Sequence, residues 1–265
     1  MTKILSWNVN SLRIRLPELV RIASEQQPDV VCLQEVKAKE EDFPFDAVKA
    51  AGFEHIALYG MAGYNGVAIL SRRPLKDIRR FDWAGKADAR HISAVTDEGI
   101  EIHNIYIPAG GDLPDPEANP AFARKLQFIE ALNAYFASRA TEGSQNKIFV
   151  CGDFNVAPSE NDVWNHKQLL KIVSHTPAET SRLQKWYRES GLIDALRQIY
   201  PEPEKIFSWW SYRNPNWQTN NKGRRLDHIW ISPALATQLQ SAFILKDCRG
   251  HERPSDHVPV GAVFE

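Results

Sequence analysis

The chain of 265 residues is 43% hydrophobic and 25% charged, and its 32 basic and 33 acidic side chains leave a formal net charge of −1. Such a composition belongs to a soluble globular protein, long enough for one large sandwich or two small domains; no apolar run reaches the roughly 18 residues that cross a bilayer. The charge balance excludes general attraction to nucleic acid, so any affinity must reside in local patches such as Arg72-Arg73, Arg79-Arg80 and Lys222-Gly223-Arg224-Arg225, each of which alone reads as solvated surface.

In chain order, residues 3–7 form a first strand. A helix is predicted over 16–26, with Pro17 at its start and Leu16, Leu19, Val20 and Ala23 on one face. Pro28-Asp29 turns the chain into a strand at 30–33. Strands at 53–58 and 67–70 flank a turn over 60–66, and 91–95 with 100–107 reads as a meander turned at Asp97-Glu98-Gly99. The clearest helix covers 120–137: Asn119 is a good N-cap, and Phe122, Leu126, Ile129, Leu132 and Phe136 recur at helical spacing. There follow a buried strand at 148–151, a helix at 180–189 stopped by Gly191, and strands at 226–231, 241–246 and 258–264.

Nothing resembles a linker; segments 108–120 and 214–223 read as functional loops. Ile4-Leu5-Ser6-Trp7-Asn8 and Val150-Cys151-Gly152-Asp153-Phe154-Asn155 are similarly built, which hints at two related halves. The expected architecture is one α/β domain over 1–265, with two mostly antiparallel sheets packed face to face and helices outside. Three cysteines in no ligand spacing suit a reducing compartment, and a strand directly after Met1 leaves no room for a secretory signal, so a cytoplasmic location is expected.

Five short polar islands carry the chemistry: Ser6-Trp7-Asn8-Val9-Asn10, Gln34-Glu35, Gly152-Asp153-Phe154-Asn155, Arg225-Leu226-Asp227-His228 and Ser255-Asp256-His257. Each is attached to an apolar run. Carboxylates at the ends of buried strands are costly unless they are partnered, which argues for a shared site. Glu35 and Asp153 follow their strands, whereas Asp256 and His257 precede theirs; antiparallel neighbours bring such ends to one sheet edge. Glu35 with Asn8 or Asn10, and the Asp153/Asn155 pair, supply the hard oxygens that Mg²⁺ favours, and no Cys/His spacing points to zinc. A carboxylate beside His257 would fix its ring and favour its protonated form; the spacing leaves open whether Asp256 or Asp227 does so. Taken singly, Glu35 reads as a surface carboxylate, Asp153 and Asn155 as turn formers and Tyr106 as sheet packing.

Seven motifs occur in an order that resembles the exonuclease III family of apurinic/apyrimidinic endonucleases. They are Ser6-Trp7-Asn8-Val9-Asn10-Ser11-Leu12-Arg13, Leu33-Gln34-Glu35, Gly66-Val67-Ala68-Ile69-Leu70-Ser71, Tyr106-Ile107-Pro108, Cys151-Gly152-Asp153-Phe154-Asn155-Val156-Ala157, Arg225-Leu226-Asp227 and Pro254-Ser255-Asp256-His257. The match runs essentially from end to end. The resemblance implies a DNase I-like four-layer sandwich and in-line hydrolysis of a DNA phosphodiester. It implies Glu35 as principal ligand of Mg²⁺ (Mn²⁺ as an alternative), with Asn8 and Asn10 close by and Asp256 an additional ligand. Asp153 would activate the attacking water, Asn155 and Tyr106 would hold the phosphate, and His257, oriented by Asp227, would stabilise its charge.

The implied activity is cleavage 5′ to abasic sites in double-stranded DNA, with removal of nucleotides or blocking groups from 3′ ends, by a monomer. The alternative within the same fold is a phosphodiesterase or phosphatase acting on RNA or a small phosphate ester. Aromatic residues from Phe207 to Trp217, followed by Lys222, Arg224 and Arg225, suit distorted nucleic acid. Trp209 and Leu226 match the family's pocket for an extruded base-less sugar; Arg13, Tyr64 and Asn165 match backbone-gripping positions, and Trp217, Arg224 and Arg225 complete the expected DNA-binding set. Two departures stand out. Ala109 replaces an amide found in relatives, and Arg224 stands where several relatives are apolar.

Overall fold

A computed structural model describes residues 1–83, 85–140 and 146–265. The first sheet contains β1 (Thr2–Asn8), β2 (Val30–Gln34), β3 (His55–Tyr59), β4 (Val67–Ser71), β11 (Leu239–Ile244) and β12 (Val260–Phe264), in spatial order β11-β12-β1-β2-β4-β3. The second contains β5 (Leu75–Trp83), β6 (Lys86–Thr96), β7 (Glu101–Tyr106), β8 (Ile148–Asp153), β9 (Ile193–Asp194) and β10 (Asp227–Ile231), in order β5-β6-β7-β8-β10-β9. Only β1/β2 and β7/β8 run parallel; the other pairs are antiparallel. β1 and β8 therefore hold equivalent places, β1 third from the β11 edge and β8 third from the β9 edge, each with one parallel and one antiparallel neighbour. That equivalence matches the sequence likeness between the two strands.

Side-chain alternation builds the layers. Ile4, Cys32, Ile69, Ile102, Cys151 and Ile229 meet between the sheets. Leu5, Val31 and Leu33 face outward, where they pack under α1 (Leu12–Gln26) and α2 (Phe45–Ala50). On the far side Val150 and Trp230 meet α3 (Pro120–Arg139) and α5 (Pro177–Ser190) through Phe128, Leu132, Leu183 and Trp186. Central strands covered on both faces explain the unbroken apolar runs in the sequence. The four-layer sandwich of the sequence reading is thus the observed one.

Two local details in particular differ from expectation. α1 begins at Leu12 rather than at residue 16, with Pro17 inside it, because Ser11 N and Leu12 N donate to Glu35 O (2.8 Å) and Val36 O (3.2 Å). A loop distant in sequence thus satisfies the helix start, and no capping residue announces it. β5 has no counterpart in the sequence reading; exposed Lys, Asp and Arg side chains interrupt Leu75, Ile78, Phe81 and Trp83, so no regular apolar alternation marks it. Gly152 is forced by β7, since a Cβ there would stand 1.8 Å from Ile105 O at φ +138°.

Beneath the shared edge of the sheets, Gln34 Nε2 donates to Ser6 Oγ (3.1 Å) and Asn104 Oδ1 (2.7 Å). Asn104 Nδ2 in turn donates to Leu33 O (2.9 Å) and Ala68 O (2.8 Å). This buried amide clasp crosses from one sheet to the other with its amide donors bonded, while Gln34 Oε1 is buried without a partner.

Candidate active site

Strand register delivers the polar residues to one edge. Asn8 pairs with Gln34 at the ends of β1 and β2, and Glu35 follows. In the second sheet Tyr106, Asp153 and Asp227 lie abreast on β7, β8 and β10. The segment before β12 is tied beside them: Ser255 Oγ donates to Asn8 O (2.7 Å), and Trp7 Nε1 donates to His257 O (3.2 Å). Glu35 (φ +51°) and Asn155 (φ +52°) adopt left-handed backbone, a strain of roughly 1–3 kcal/mol each that clusters at functional turns.

Asn8 is the hinge of the site. Its Nδ2 donates to Glu35 Oε1 and to Asp153 Oδ2, both at 2.9 Å, so the two carboxylates lie within about 6 Å of each other. Tyr106 OH also donates to Glu35 Oε1 (2.8 Å), and Lys37 Nζ pairs with Glu35 Oε2 (2.7 Å) while donating to Asn10 Oδ1 (2.6 Å). Asn10 Nδ2 reaches Asp256 Oδ1 (3.2 Å), whose Oδ2 accepts from Trp209 Nε1 (2.9 Å). Asn155 closes on Asp153, its N donating to Oδ1 (2.9 Å) and its Nδ2 to Oδ2 (3.1 Å). The Asp153/Asn155 segment is therefore both a turn and part of the site.

His257 Nδ1 contacts Asp227 Oδ2 at 2.8 Å and its Nε2 stands 3.5 Å from Asp153 Oδ2. Asp227, not Asp256, is the ring's partner. Burial works against charge on His257, but Asp227 and Asp153 outweigh it and push the imidazole up to about 10. Burial pushes Asp153 up to about 7, with His257 holding it back. Burial also opposes charge on Glu35, yet bonds from Asn8, Lys37 and Tyr106 bring it below the usual carboxylate range. The result is a protonated imidazole, a carboxylate poised to exchange a proton near neutrality, and a second carboxylate kept ionised.

These groups open on a cleft of about 800 Å³ lined by Glu35, Tyr106, Asp153, Asn155, Asp256 and His257. Trp209, Arg224 and Leu226 form another wall of it. Ala109, Trp164, Arg213 and Lys222 also line it, of which Trp164 went unnoticed in the sequence because a lone residue in a loop carries no pattern. Lys37 was missed too, although its place two residues after Glu35 is a usable signal.

Other expectations fare differently. Arg225 is 2% exposed and pairs with Asp162 (2.7 Å) and Asp194 (2.6 Å), so it is an internal cation and not a DNA-binding one. Trp217 is 8% exposed and packs on Trp210, which likewise withdraws it from solvent and from DNA. Tyr64 is 76% exposed and Arg13 is exposed, both outside the cleft lining. Asn165 spends its Oδ1 capping the short helix α4 (His166–Leu169), accepting from Gln168 N at 3.1 Å.

Oxygen donors of the kind a divalent cation takes face the cleft in two places. Asp153, Asp227 and His257 converge closely enough to be ligands, but they are already closed on one another. Glu35 and Asp256 face the same cleft with their oxygens likewise bonded, Glu35 to Asn8, Tyr106 and Lys37 and Asp256 to Asn10 and Trp209.

Residues 5–257 match the model of the endonuclease/exonuclease/phosphatase family. Exodeoxyribonuclease III of Haemophilus influenzae is 34% identical, with 99% of this chain and 100% of that protein aligned. An exodeoxyribonuclease of Bacillus subtilis is 29% identical over 99% of both chains. Among solved structures, a 3′ phosphatase from Neisseria bound to a product DNA hairpin superposes with a TM-score of 0.91 at 34% identity, covering all of both chains. An AP endonuclease from Archaeoglobus fulgidus gives 0.91 at 32%, again over both whole chains. With the fold, the motif order and the His257–Asp227 couple in agreement, the chain belongs to the endonuclease/exonuclease/phosphatase family as an exodeoxyribonuclease III-like hydrolase.

Proposed function

We propose that the protein is a Mg²⁺-dependent DNA-repair phosphodiesterase that cuts the backbone 5′ to abasic sites and trims or unblocks 3′ ends. The observation that carries this reading is the pair of hydrogen bonds that Asn8 donates to Glu35 and Asp153, joining an ionised carboxylate to a titratable one beside a charged histidine. In the reaction a water oxygen attacks phosphorus in line, the P–O3′ bond breaks, and Asp153 takes the water's proton. Asn155 and Tyr106 hold the scissile phosphate. His257, kept protonated by Asp227, places positive charge where the phosphoryl oxygens become more negative. Glu35 and Asp256, with Asn8 and Asn10, would hold the cation, which when bound would neutralise phosphate charge.

A duplex with one tetrahydrofuran abasic analogue tests the proposal. Cutting at the lesion with Mg²⁺ and its loss in EDTA are expected. Undiminished cutting in EDTA, or equal cutting of undamaged DNA, would overturn it. Turnover of a small phosphodiester with no cutting of the duplex would move the assignment to the alternative substrate class.

A further inference from the structure

Arg224 occupies an unusual place in the cleft. Three extended segments run side by side, with Trp209 bridged to Arg224 on one flank and to His257 on the other. At a spacing of ~4.8 Å per segment, the backbones of Arg224 and His257 are ~10 Å apart. The Trp209 indole, held by Asp256 at 2.9 Å, also lies 5.2 Å from the Arg224 Cζ. Behind them Leu226 joins Ala157, Val163 and Leu169 in an apolar cluster. The recess next to the reacting groups thus combines an apolar floor with one cationic wall.

The guanidinium is only partly satisfied. Its Nη1 donates to Val173 O (3.1 Å) and Ser174 Oγ (2.7 Å), while its Nε is buried without a partner. Among the described residues no carboxylate forms an ion pair with it. Glu179, the acid acting on it from nearby, is closed onto Lys125 at 2.5 Å. The next residue, Arg225, shows the contrast, with two carboxylates of its own. A largely enclosed cation without a counter-charge is unfavourable, and an arginine keeps its charge regardless. An anion delivered by the substrate would complete it.

We propose that Arg224 is a specificity-determining residue that makes this recess select 3′ blocking groups bearing a carboxylate over neutral groups of the same shape. The inference rests on the DNA-repair reading above. For a 3′-phosphoglycolate end, water adds to phosphorus, the P–O3′ bond breaks, a 3′-hydroxyl remains and phosphoglycolate leaves with its carboxylate intact.

The test compares matched duplexes ending in 3′-phosphoglycolate or its neutral amide, with an internal tetrahydrofuran site as reference. Each is measured as kcat/KM with Mg²⁺ for the native protein, Arg224→Leu and Arg224→Lys. The native protein should favour the acid over the amide by about ten- to a hundred-fold, the scale of a charged hydrogen bond. Arg224→Leu should bring that ratio close to one, and Arg224→Lys should keep part of it. No preference in the native protein, an unchanged ratio in Arg224→Leu, or an equal loss on all three substrates would overturn the proposal, the last because it marks a merely structural role. If the native protein cuts none of the three, the DNA-repair reading itself fails.

Discussion

His257 owes its charge to Asp227, which holds Nδ1 at 2.8 Å inside the protein. Because its pKa is raised to about 10, the imidazole stays protonated across neutral pH and loses its proton only as pH rises through that value. In Asp227→Asn the amide keeps a contact but removes the charge, so the alkaline fall in kcat should move down toward the ordinary imidazole range. We expect kcat at pH 9 to drop at least about tenfold more than kcat at pH 6.5. A pH–rate profile checks this, and parallel losses at both values would refute the pairing. Asp153→Asn removes the proposed proton acceptor itself, and kcat should fall by about 10²–10⁴ while binding of abasic duplex, read by fluorescence anisotropy, persists.

At the scale of elements, three cleft loops hang on a single buried pair. Lys125 of α3 donates to Asn155 O (2.7 Å) and Ala109 O (3.2 Å) and pairs with Glu179 of α5 at 2.5 Å. Glu179 also accepts from Ser174 N (2.9 Å) and Thr176 N (3.2 Å). Lys125→Met leaves Glu179 buried and unpaired, which should cost about 3–5 kcal/mol. Adding Glu179→Gln should restore part of that stability in urea melts, whereas kcat should stay low because Asn155 has lost its anchor. Full recovery of kcat in the double variant would show that Lys125 does not position the site.

Neither partner was legible in the sequence. Lys125 sits in a helical pattern where a lysine ordinarily marks the solvent face, and Glu179 stands just ahead of the helix predicted over 180–189, which in the structure starts at Pro177. The strands and the long helices were readable because burial on one or two faces writes an apolar period. The islands around Glu35, Asp153 and His257 were readable because polar residues interrupt those runs. β5 and the true start of α1 were hidden, since an exposed charged edge and a cap supplied by a remote loop leave no local trace. Arg225 and Trp217 misled for the opposite reason: a cationic or aromatic neighbour in sequence does not say which side of the chain faces the cleft.

For the whole molecule, the interior histidines set a limit on acid stability. Burial, reinforced by Arg225, pushes His228 down to about 4, and burial pushes His91 and His103 down as well. These rings are neutral in the fold but bind protons in the unfolded chain below about pH 6.5. Their contribution is therefore complete above that value and is lost as pH falls below it, for His228 between about 6.5 and 4 and by up to about 3 kcal/mol. Urea midpoints at pH 7.5 and 5 should differ less in His228→Asn than in the native protein. An identical acid loss in both would rule out His228 as a contributor.

The amide clasp under the cleft bears on how the chemistry stays aligned. Glu35 rides on one sheet and Asp153 on the other, and a slide between the two would leave every ladder of backbone bonds intact while parting the carboxylates. The bonds of Asn104 with Gln34, Leu33 and Ala68 cross between the sheets and oppose that slide from beneath the cleft. The accuracy of the cutting machinery is accordingly a property of how two slabs are bolted together.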